Sequence, residues 1–199
     1  YRSSAASDVY KRQGEKSIGQ YFMSGPGKKF GEILNDKEFQ DLCDFEGNAN
    51  GFKILTQSRP GREGGLRLSY ATLGAFIKYP KESLPIKPTS DVSDKKYGFF
   101  QNEKNIYFDI ANELGLSKND GGYNRHPLTF LVEAADDICY TIIDFEDGIN
   151  LGLVDEDYAL EYLINLVRDS INTEKYHSLN NTIDRVSYLR ALSIYTLIN

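Results

Sequence analysis

The sequence has very few of the residues that most often bind zinc or form disulfide bonds. Its 199 residues include only two histidines and two cysteines. Cys43 and Cys139 are not spaced as a CxxC pair, and both lie in apolar stretches. We therefore expect free, buried thiols in a reducing compartment rather than a disulfide-stabilised secreted domain or a cysteine zinc site.

Long hydrophobic runs are also missing. No stretch approaches the roughly 18 apolar residues that a membrane span needs, and no signal peptide with a charged start and an apolar middle is present. We expect a cytoplasmic protein without a membrane partner. The 29 acidic and 23 basic residues give a net charge of -6, which disfavours a general nucleic-acid coat but allows local basic pockets for small anions.

The sequence does have the composition of a folded globular domain. Hydrophobic residues make up 40% of it and aromatic residues 13%, enough for one core. The first 13 residues, YRSSAASDVYKRQ, lack the periodicity of the rest of the chain, and we expect them to be a non-native leader before a partial domain at 14–199. The final VSYLRALSIYTLIN still has a helical pattern where the sequence stops, so we expect a domain truncated at both ends.

The dominant hydrophobic period is helical, which predicts an all-α fold. A short hairpin near KYGFF is the one β element that we consider. Tyr188 and Arg190 lie in a helix that we assign to packing or to a subunit contact. The predicted helices cover residues 36–44, 46–58, 68–78, 102–115, 127–149, 156–171 and 181–198.

The helix at 127–149 has an unusual distribution of charge. A helical period of about 100° per residue separates two sides. The apolar side contains Leu128, Leu131, Val132, Ala135, Ile138, Cys139 and Ile142, and the other side contains Glu133, Asp136, Asp137, Tyr140, Asp144 and Asp147. No basic residue in this helix offsets the acids, so the stripe is either a solvated face or a site for a cation or polar ligand. The residues alone leave both possibilities open.

At this helix the sequence resembles a known family. HPLTFLVEAADDICYTIIDFEDG is similar to the last metal-ligand helix of the deoxyguanosine triphosphate triphosphohydrolases, which belong to the HD-domain phosphohydrolase superfamily. GEKSI at 14–18, FEGNANGFKILT at 45–56 and GGLRLSYATLGAFIKYP at 64–80 agree in the same order. The resemblance covers nearly everything after residue 13 and implies an HD-domain-like helical bundle.

The resemblance implies that Asp136 is a metal ligand and that Tyr140 and Asp144 contact the deoxyribose of the substrate. In the family, a histidine and a His-Asp pair upstream complete the metal site, and neither His126 nor His177 lies in an HD dipeptide. A single aspartate holds a divalent ion weakly. We therefore expect this chain alone to have little or no activity.

Two further residues gain a role from the resemblance. The residues alone favour Glu15 as an acid near the start of a helix, stabilised by the helix dipole. The resemblance reverses this preference, because Glu15 matches a catalytic glutamate that manages protons near the attacked phosphate. Asn48 matches a polar residue near the substrate, although an asparagine is also common where a helix begins.

Lys78, Tyr79 and Lys96 are matched to groups that contact the triphosphate and the sugar. Without the resemblance, Lys78 is equally a basic residue at the end of a helix, and chemistry does not separate Lys96 from Lys95. Several cations are needed because the substrate carries about four negative charges. We leave Arg125 out of the site because an arginine before His-Pro is typical of a surface or capping position.

The activity implied by the resemblance is hydrolysis of dGTP to deoxyguanosine and inorganic triphosphate. The implied cofactor is Mg²⁺ or Mn²⁺, and the implied assembly is a homo-oligomer, commonly a hexamer. Two alternatives remain: an HD-domain phosphohydrolase that acts on several dNTPs, and a catalytically silent module that senses nucleotides or binds partners. Gly64 and Gly65 do not form a Walker or GxGxxG motif, so we interpret them as a turn.

Overall fold

The computed structural model of the protein describes residues 4–61, 63–85 and 92–198. Within these ranges the chain is all-α, as the sequence predicts, and Ser117 and Tyr123 form an isolated antiparallel β-bridge. The chain divides into two compact units. The core unit runs from Tyr10 to Glu133, and the terminal unit contains the chain from Ala134 onward together with the segment up to Val9.

Most of the described helices are short and are capped by side chains. Those that contribute to the core unit are α1 (Ser4–Met23), α2 (Asp36–Cys43), α3 (Gly47–Thr56), α4 (Tyr70–Phe76), α5 (Lys104–Glu113) and the start of α6 (Pro127–Asn150). Three 3-10 segments lie between them, at Pro26–Glu32, Val92–Asp94 and Gln101–Glu103. Asn35 and Glu38 form a capping box at α2, and Ser69 caps α4, so each of these helices begins at a side chain that satisfies free N–H groups.

The hydrophobic core of the core unit is built around two stacked aromatic rings. Phe99 and Tyr107 lie 4.4 Å apart between ring centroids, and Phe52 packs edge-on against Tyr107. Burial raises the pKa of the Tyr107 hydroxyl well above its ordinary value. The buried residues of this cluster are Phe52, Leu73, Ile77, Phe99, Tyr107, Ile110, Ala111 and Leu116.

The terminal unit packs α7 (Glu156–Val167) against α9 (Thr182–Ile198), with the short α8 (Thr173–Ser178) between them in sequence. Asp155 and Asn172 cap α7 and α8. Arg190 places Nε 2.8 Å from Oε2 of the buried Glu146, and Leu189 is fully buried. The last helix therefore packs within this unit, which is one of the two roles that its pattern predicted, and the other role, a subunit contact, stays a prediction. The buried residues are Ile149, Ala159, Leu160, Leu163, Val167, Val186 and Leu189.

The structure differs from the predicted elements in three places. The structure has no strand in the described part of the KYGFF region, because Tyr97 and Phe99 are buried singly among helices rather than in a paired ladder. Helix α8 was not predicted. Helix α1 was also missed, and it begins at Ser4 within the segment that we expected to be a leader. The origin of that segment and the HD-domain-like arrangement of helices stay predictions.

The apolar side of α6 is less buried than its pattern suggests. Leu131 and Val132 are 65% and 51% exposed, whereas Ile142 is buried. Cys43 is buried and Cys139 is half-buried, and both are free thiols. None of the described helices has the length and apolar content that crossing a membrane requires.

Candidate functional site

A buried carboxylate that the sequence pattern did not single out connects two of the predicted site residues. Glu46 is 5% exposed and caps the N-terminus of α3. Its Oε1 accepts hydrogen bonds from the backbone N of Asn48 at 3.2 Å and from Asn48 Nδ2 at 2.7 Å. Its Oε2 lies 2.7 Å from Nζ of Lys96. Asn48 and Lys96 are far apart in sequence, and they meet at this one side chain.

Glu15 reaches the same place from α1. Its Oε1 accepts a hydrogen bond from the backbone N of Gly47 at 3.0 Å, and its Oε2 lies 3.8 Å from Lys96 Nζ. A Cβ at Gly47 would come within 2.8 Å of the Glu15 carboxylate, so a glycine permits this close approach. The structure therefore brings together Glu15, Asn48 and Lys96, three of the residues that the sequence predicted for the site.

The structure also separates two lysines that chemistry alone did not. The Lys96 side chain is 39% exposed and faces the two glutamates, whereas Lys95 is exposed and forms no ion pair with any described residue. The next residue, Tyr97, is buried, and its hydroxyl donates to the backbone oxygen of Asp41 at 2.7 Å. Burial raises the pKa of Tyr97 far above its ordinary value. Tyr97 thus anchors the segment that carries Lys96.

Lys78 and Tyr79 form a second group. Lys78 Nζ lies 3.0 Å from Glu133 Oε1 and 6.0 Å from the ring centroid of Tyr79, which is 8% exposed. Oε2 of Glu133 binds the guanidinium of Arg125, whose side chain is 12% exposed and lies over the ring of Phe130. Arg125 therefore belongs to the surroundings of Lys78. The sequence did not show this, because no spacing rule connects a residue before a helix with an acid inside it.

The segments that carry Lys78 and Lys96 lie side by side. Gly98 donates its backbone N–H to the carbonyl of Lys81 at 3.1 Å. A Cβ at Gly98 would lie 2.2 Å from the carbonyl oxygen of Tyr79, so only glycine fits at this contact. The two lysines that we predicted to bind phosphate therefore lie on adjacent backbone segments.

Asp136, Tyr140 and Asp144 lie on α6 within the terminal unit. Their four-residue spacing places them on one side of the helix, as predicted. Asp136 and Asp144 are exposed, and Tyr140 is 42% exposed. Their metal and sugar roles stay predictions.

The residues that the structure describes do not form a complete metal site. In the part of the chain that the structure describes, no three His, Cys, Asp or Glu side chains are arranged to hold a metal ion. Stable binding of Mg²⁺ or Mn²⁺ needs several oxygen ligands in fixed geometry, whereas the predicted ligand Asp136 would supply a single carboxylate. The described side chains therefore do not supply enough ligands to hold either ion.

In both groups of predicted site residues in the core unit, the cations are paired with carboxylates. Lys78 and Arg125 share Glu133, and Lys96 lies between Glu15 and Glu46. Each lysine is a third or more exposed, so an incoming anion has access to its ammonium group. The arrangement is therefore suited to receiving a phosphate-rich ligand by exchange of ion pairs.

Comparison with known proteins places the chain beside a set of hydrolases. No protein-family model matches it. It is 46% identical over 149 residues to a deoxyguanosinetriphosphate triphosphohydrolase-like protein of Synechocystis sp., an alignment that covers 70% of this chain and 34% of the relative. It is 36% identical over 195 residues to a protein of the same description from Pseudomonas aeruginosa, with 96% of this chain and 44% of the relative covered.

A third relative has the same description without the qualifier. The deoxyguanosinetriphosphate triphosphohydrolase of Yersinia enterocolitica is 34% identical over 135 residues, which cover 66% of this chain and 25% of the relative. The chain thus spans less than half of the length of each of these curated relatives.

Proposed function

The chain belongs to the deoxyguanosinetriphosphate triphosphohydrolase family, and we propose that it forms the substrate-binding part of a hydrolase that converts dGTP to deoxyguanosine and inorganic triphosphate. The observation that carries this proposal is the meeting of Glu15, Asn48 and Lys96 at one partly buried place in the core unit. An acid, an amide and a cation held together in this way fit the reacting end of a nucleotide.

The triphosphate would be bound by Lys78 and Lys96. They lie on adjacent backbone segments, and each is paired with a glutamate. A phosphate oxygen forms a short charge-assisted hydrogen bond with an ammonium group, so a triphosphate competes well for both lysines. Arg125 keeps Glu133 occupied when Lys78 turns to the ligand.

Glu15 would hold or move a proton near the attacked phosphate. Its Oε1 is held by the Gly47 N–H, and its Oε2 points to Lys96. The side chain is only 15% exposed, so it is oriented before substrate arrives. Asn48 would then contribute its remaining hydrogen-bonding capacity to the substrate.

Tyr140 and Asp144 would select a deoxyribose. They follow one another by one turn on α6. A tyrosine ring packed on the sugar would leave no room for a 2'-hydroxyl. A ribonucleotide would then bind more weakly, because its 2'-hydroxyl would have to be displaced or to lose its hydration.

None of the roles proposed above depends on the divalent ion. We propose Mg²⁺ or Mn²⁺ as the cofactor and Asp136 as one ligand, but the described residues do not close a site around it. The chain by itself should therefore bind Mn²⁺ weakly and turn over dGTP slowly or not at all. We also propose that the protein assembles as a homo-oligomer, such as a hexamer.

Product analysis on the longest open reading frame that contains this sequence tests the function. The protein is incubated with each of the four dNTPs and the four NTPs, with Mg²⁺ or Mn²⁺, and the phosphate products are separated by ion exchange. We expect intact triphosphate from dGTP and almost none from GTP. Equal rates on all four dNTPs would replace the dGTP assignment by a broad dNTP hydrolase, and no triphosphate from any nucleotide would contradict the activity.

A further inference from the structure

Glu46 contacts more of the predicted site than any residue that the sequence pattern singled out. One of its oxygens accepts both the backbone and the side-chain N–H of Asn48, and the other lies 2.7 Å from Lys96 Nζ. The neighbouring Gly47 holds Glu15. We propose that Glu46 is a positioning residue that orders Lys96 and Asn48 before a triphosphate binds. This inference rests on the proposed function.

Capping of α3 alone does not account for a glutamate at this position. N-terminal caps are usually Asn, Asp, Ser or Thr, whose short side chains reach the first free N–H groups of the helix. An aspartate at position 46 would cap α3 equally well. The additional methylene of Glu46 is what lets one carboxylate cap the helix and reach Lys96 together.

Ordering of a lysine has a clear value for anion binding. A free lysine side chain loses most of its rotamer freedom when it binds a phosphate, and that loss weakens binding by roughly tenfold or more. The Lys96 side chain is 39% exposed, so an anion can reach its ammonium group, and this loss of freedom is one of the costs of binding. Glu46 is 5% exposed and is fixed by Asn48, so it holds the ammonium group in place beforehand.

The contact between Glu46 and Lys96 could also weaken anion binding. A carboxylate beside an anion-binding lysine repels the anion and competes with it for the ammonium group. Glu46→Asp separates the two effects, because it keeps the negative charge and the cap but shortens the reach to Lys96. Positioning predicts weaker anion binding in this variant, whereas competition predicts tighter binding.

The experiment measures the affinity of the 199-residue chain for inorganic triphosphate by isothermal titration calorimetry in metal-free buffer. We expect Glu46→Asp to bind roughly tenfold more weakly than wild type. Lys96→Ala should weaken binding by a similar factor, and adding Glu46→Asp to Lys96→Ala should change little, because Glu46 acts through Lys96. Glu82→Asp is the matched control, since Glu82 also pairs with lysines but with none of the predicted site.

A ligand-free measurement tests the mechanism itself. The ¹⁵N order parameter of the Lys96 ammonium group should be high in wild type and should fall in Glu46→Asp, while the thermal midpoint stays unchanged because the cap is kept. A mere cap would leave both the order parameter and the triphosphate affinity as they are.

The outcomes separate this inference from the proposed function. If wild type binds triphosphate and Glu46→Asp binds it equally or more tightly, the positioning role is wrong and the proposed function is unaffected. An additive effect of Glu46→Asp in the Lys96→Ala background would also overturn it. If wild type binds no triphosphate, the phosphate contacts of the proposed function fail, and the positioning role fails with them.

Discussion

Lys78 and Arg125 bind the same carboxylate, that of Glu133. Lys78 Nζ lies 3.0 Å from Oε1, and the Arg125 guanidinium contacts Oε2. One partly buried acid therefore neutralises a residue predicted to bind phosphate and a residue that the sequence-based prediction left out of the site. The Arg125 side chain is the more deeply buried of the two cations, at 12% exposed against 34% for Lys78. Loss of Glu133 consequently affects stability chiefly through Arg125.

Glu133→Ala should destabilise the chain. The substitution leaves a mostly buried guanidinium without its carboxylate, and we expect the free energy of unfolding to fall by about 1–3 kcal/mol. Urea unfolding followed by circular dichroism measures this. Glu113→Ala, at an exposed position of α5, is the control and should change stability by less than about 0.5 kcal/mol. Equal effects of the two substitutions would contradict the role of Glu133.

Lys78→Ala and Lys96→Ala should each weaken binding of dGTP to the chain. Each would remove a proposed charge-assisted hydrogen bond to phosphate, worth about 1.5–3 kcal/mol, so a loss of roughly tenfold or more is expected. Calorimetric titration with dGTP provides the measurement. Lys37→Ala removes a lysine that pairs with Glu82 and should leave dGTP affinity unchanged. If Lys37→Ala weakens dGTP binding as much as Lys78→Ala and Lys96→Ala do, then Lys78 and Lys96 affect binding only through the net charge of the chain, and the proposed contacts are wrong.

Gly98→Ala should destabilise the contact between the two lysine-bearing segments. The new methyl group would lie 2.2 Å from the carbonyl oxygen of Tyr79, so the backbone must move, at a cost of about 1–3 kcal/mol. Gly14→Ala is the matched control. Gly14 lies in α1 with open space around its Cα, and alanine there should stabilise by about 0.5–1 kcal/mol. Thermal melts of both variants should shift in opposite directions, and a shift in the same direction would contradict the close contact.

Stability should depend on pH through Asp41. Burial raises the pKa of this carboxyl, nearby Glu103 and Glu82 raise it further, and hydrogen bonds from Ser83 and the Gln101 backbone lower it. A raised pKa in the folded state means that folding takes up a proton, so stability decreases as pH rises through the folded-state pKa. Asp41→Asn abolishes this titration and keeps an acceptor for the Gln101 N–H.

The free energies of unfolding of wild type and Asp41→Asn, measured in urea between about pH 4 and pH 7, test this dependence. The variant should gain stability relative to wild type as pH rises. A difference that stays constant, or that decreases with pH, would show that Asp41 is not held at a raised pKa.

The sequence predicted the helices that have strong periodic patterns. Helix α6 begins at Pro127 as expected, because proline at the first helical position is a strong start signal, and it ends at Asn150, one residue beyond the prediction. Helix α8 was missed because six residues are too few to show a period. Buried positions on α6 were less predictable, since the exposure of Leu131 depends on what packs there and not on its place in the pattern.

The sequence supplied candidate site residues, whose roles stay predictions, but it did not supply the contacts that connect them. The family resemblance singled out Glu15, Asn48 and Lys96, and the structure brings them together. Glu46 and Glu133 were not expected to hold the lysines, because ion pairs between distant segments leave no local pattern in a sequence. The lysine pair before Tyr97 illustrates the same point: only the packing of that tyrosine decides which lysine faces inward.

We propose that α6 presents Asp136 as one ligand to a divalent ion in a dNTP-hydrolysing enzyme, and this role is the central one of the account. Asp136→Ala in the longest open reading frame that contains this sequence tests it most directly, with Asp137→Ala as the neighbouring control. Mn²⁺ binding is followed by electron paramagnetic resonance, and triphosphate release from dGTP is followed by ion exchange. We predict that Asp136→Ala lowers Mn²⁺ affinity and reduces triphosphate release at least about a hundredfold, while Asp137→Ala changes both little. If Mn²⁺ binding and triphosphate release both survive Asp136→Ala unchanged, the account is wrong.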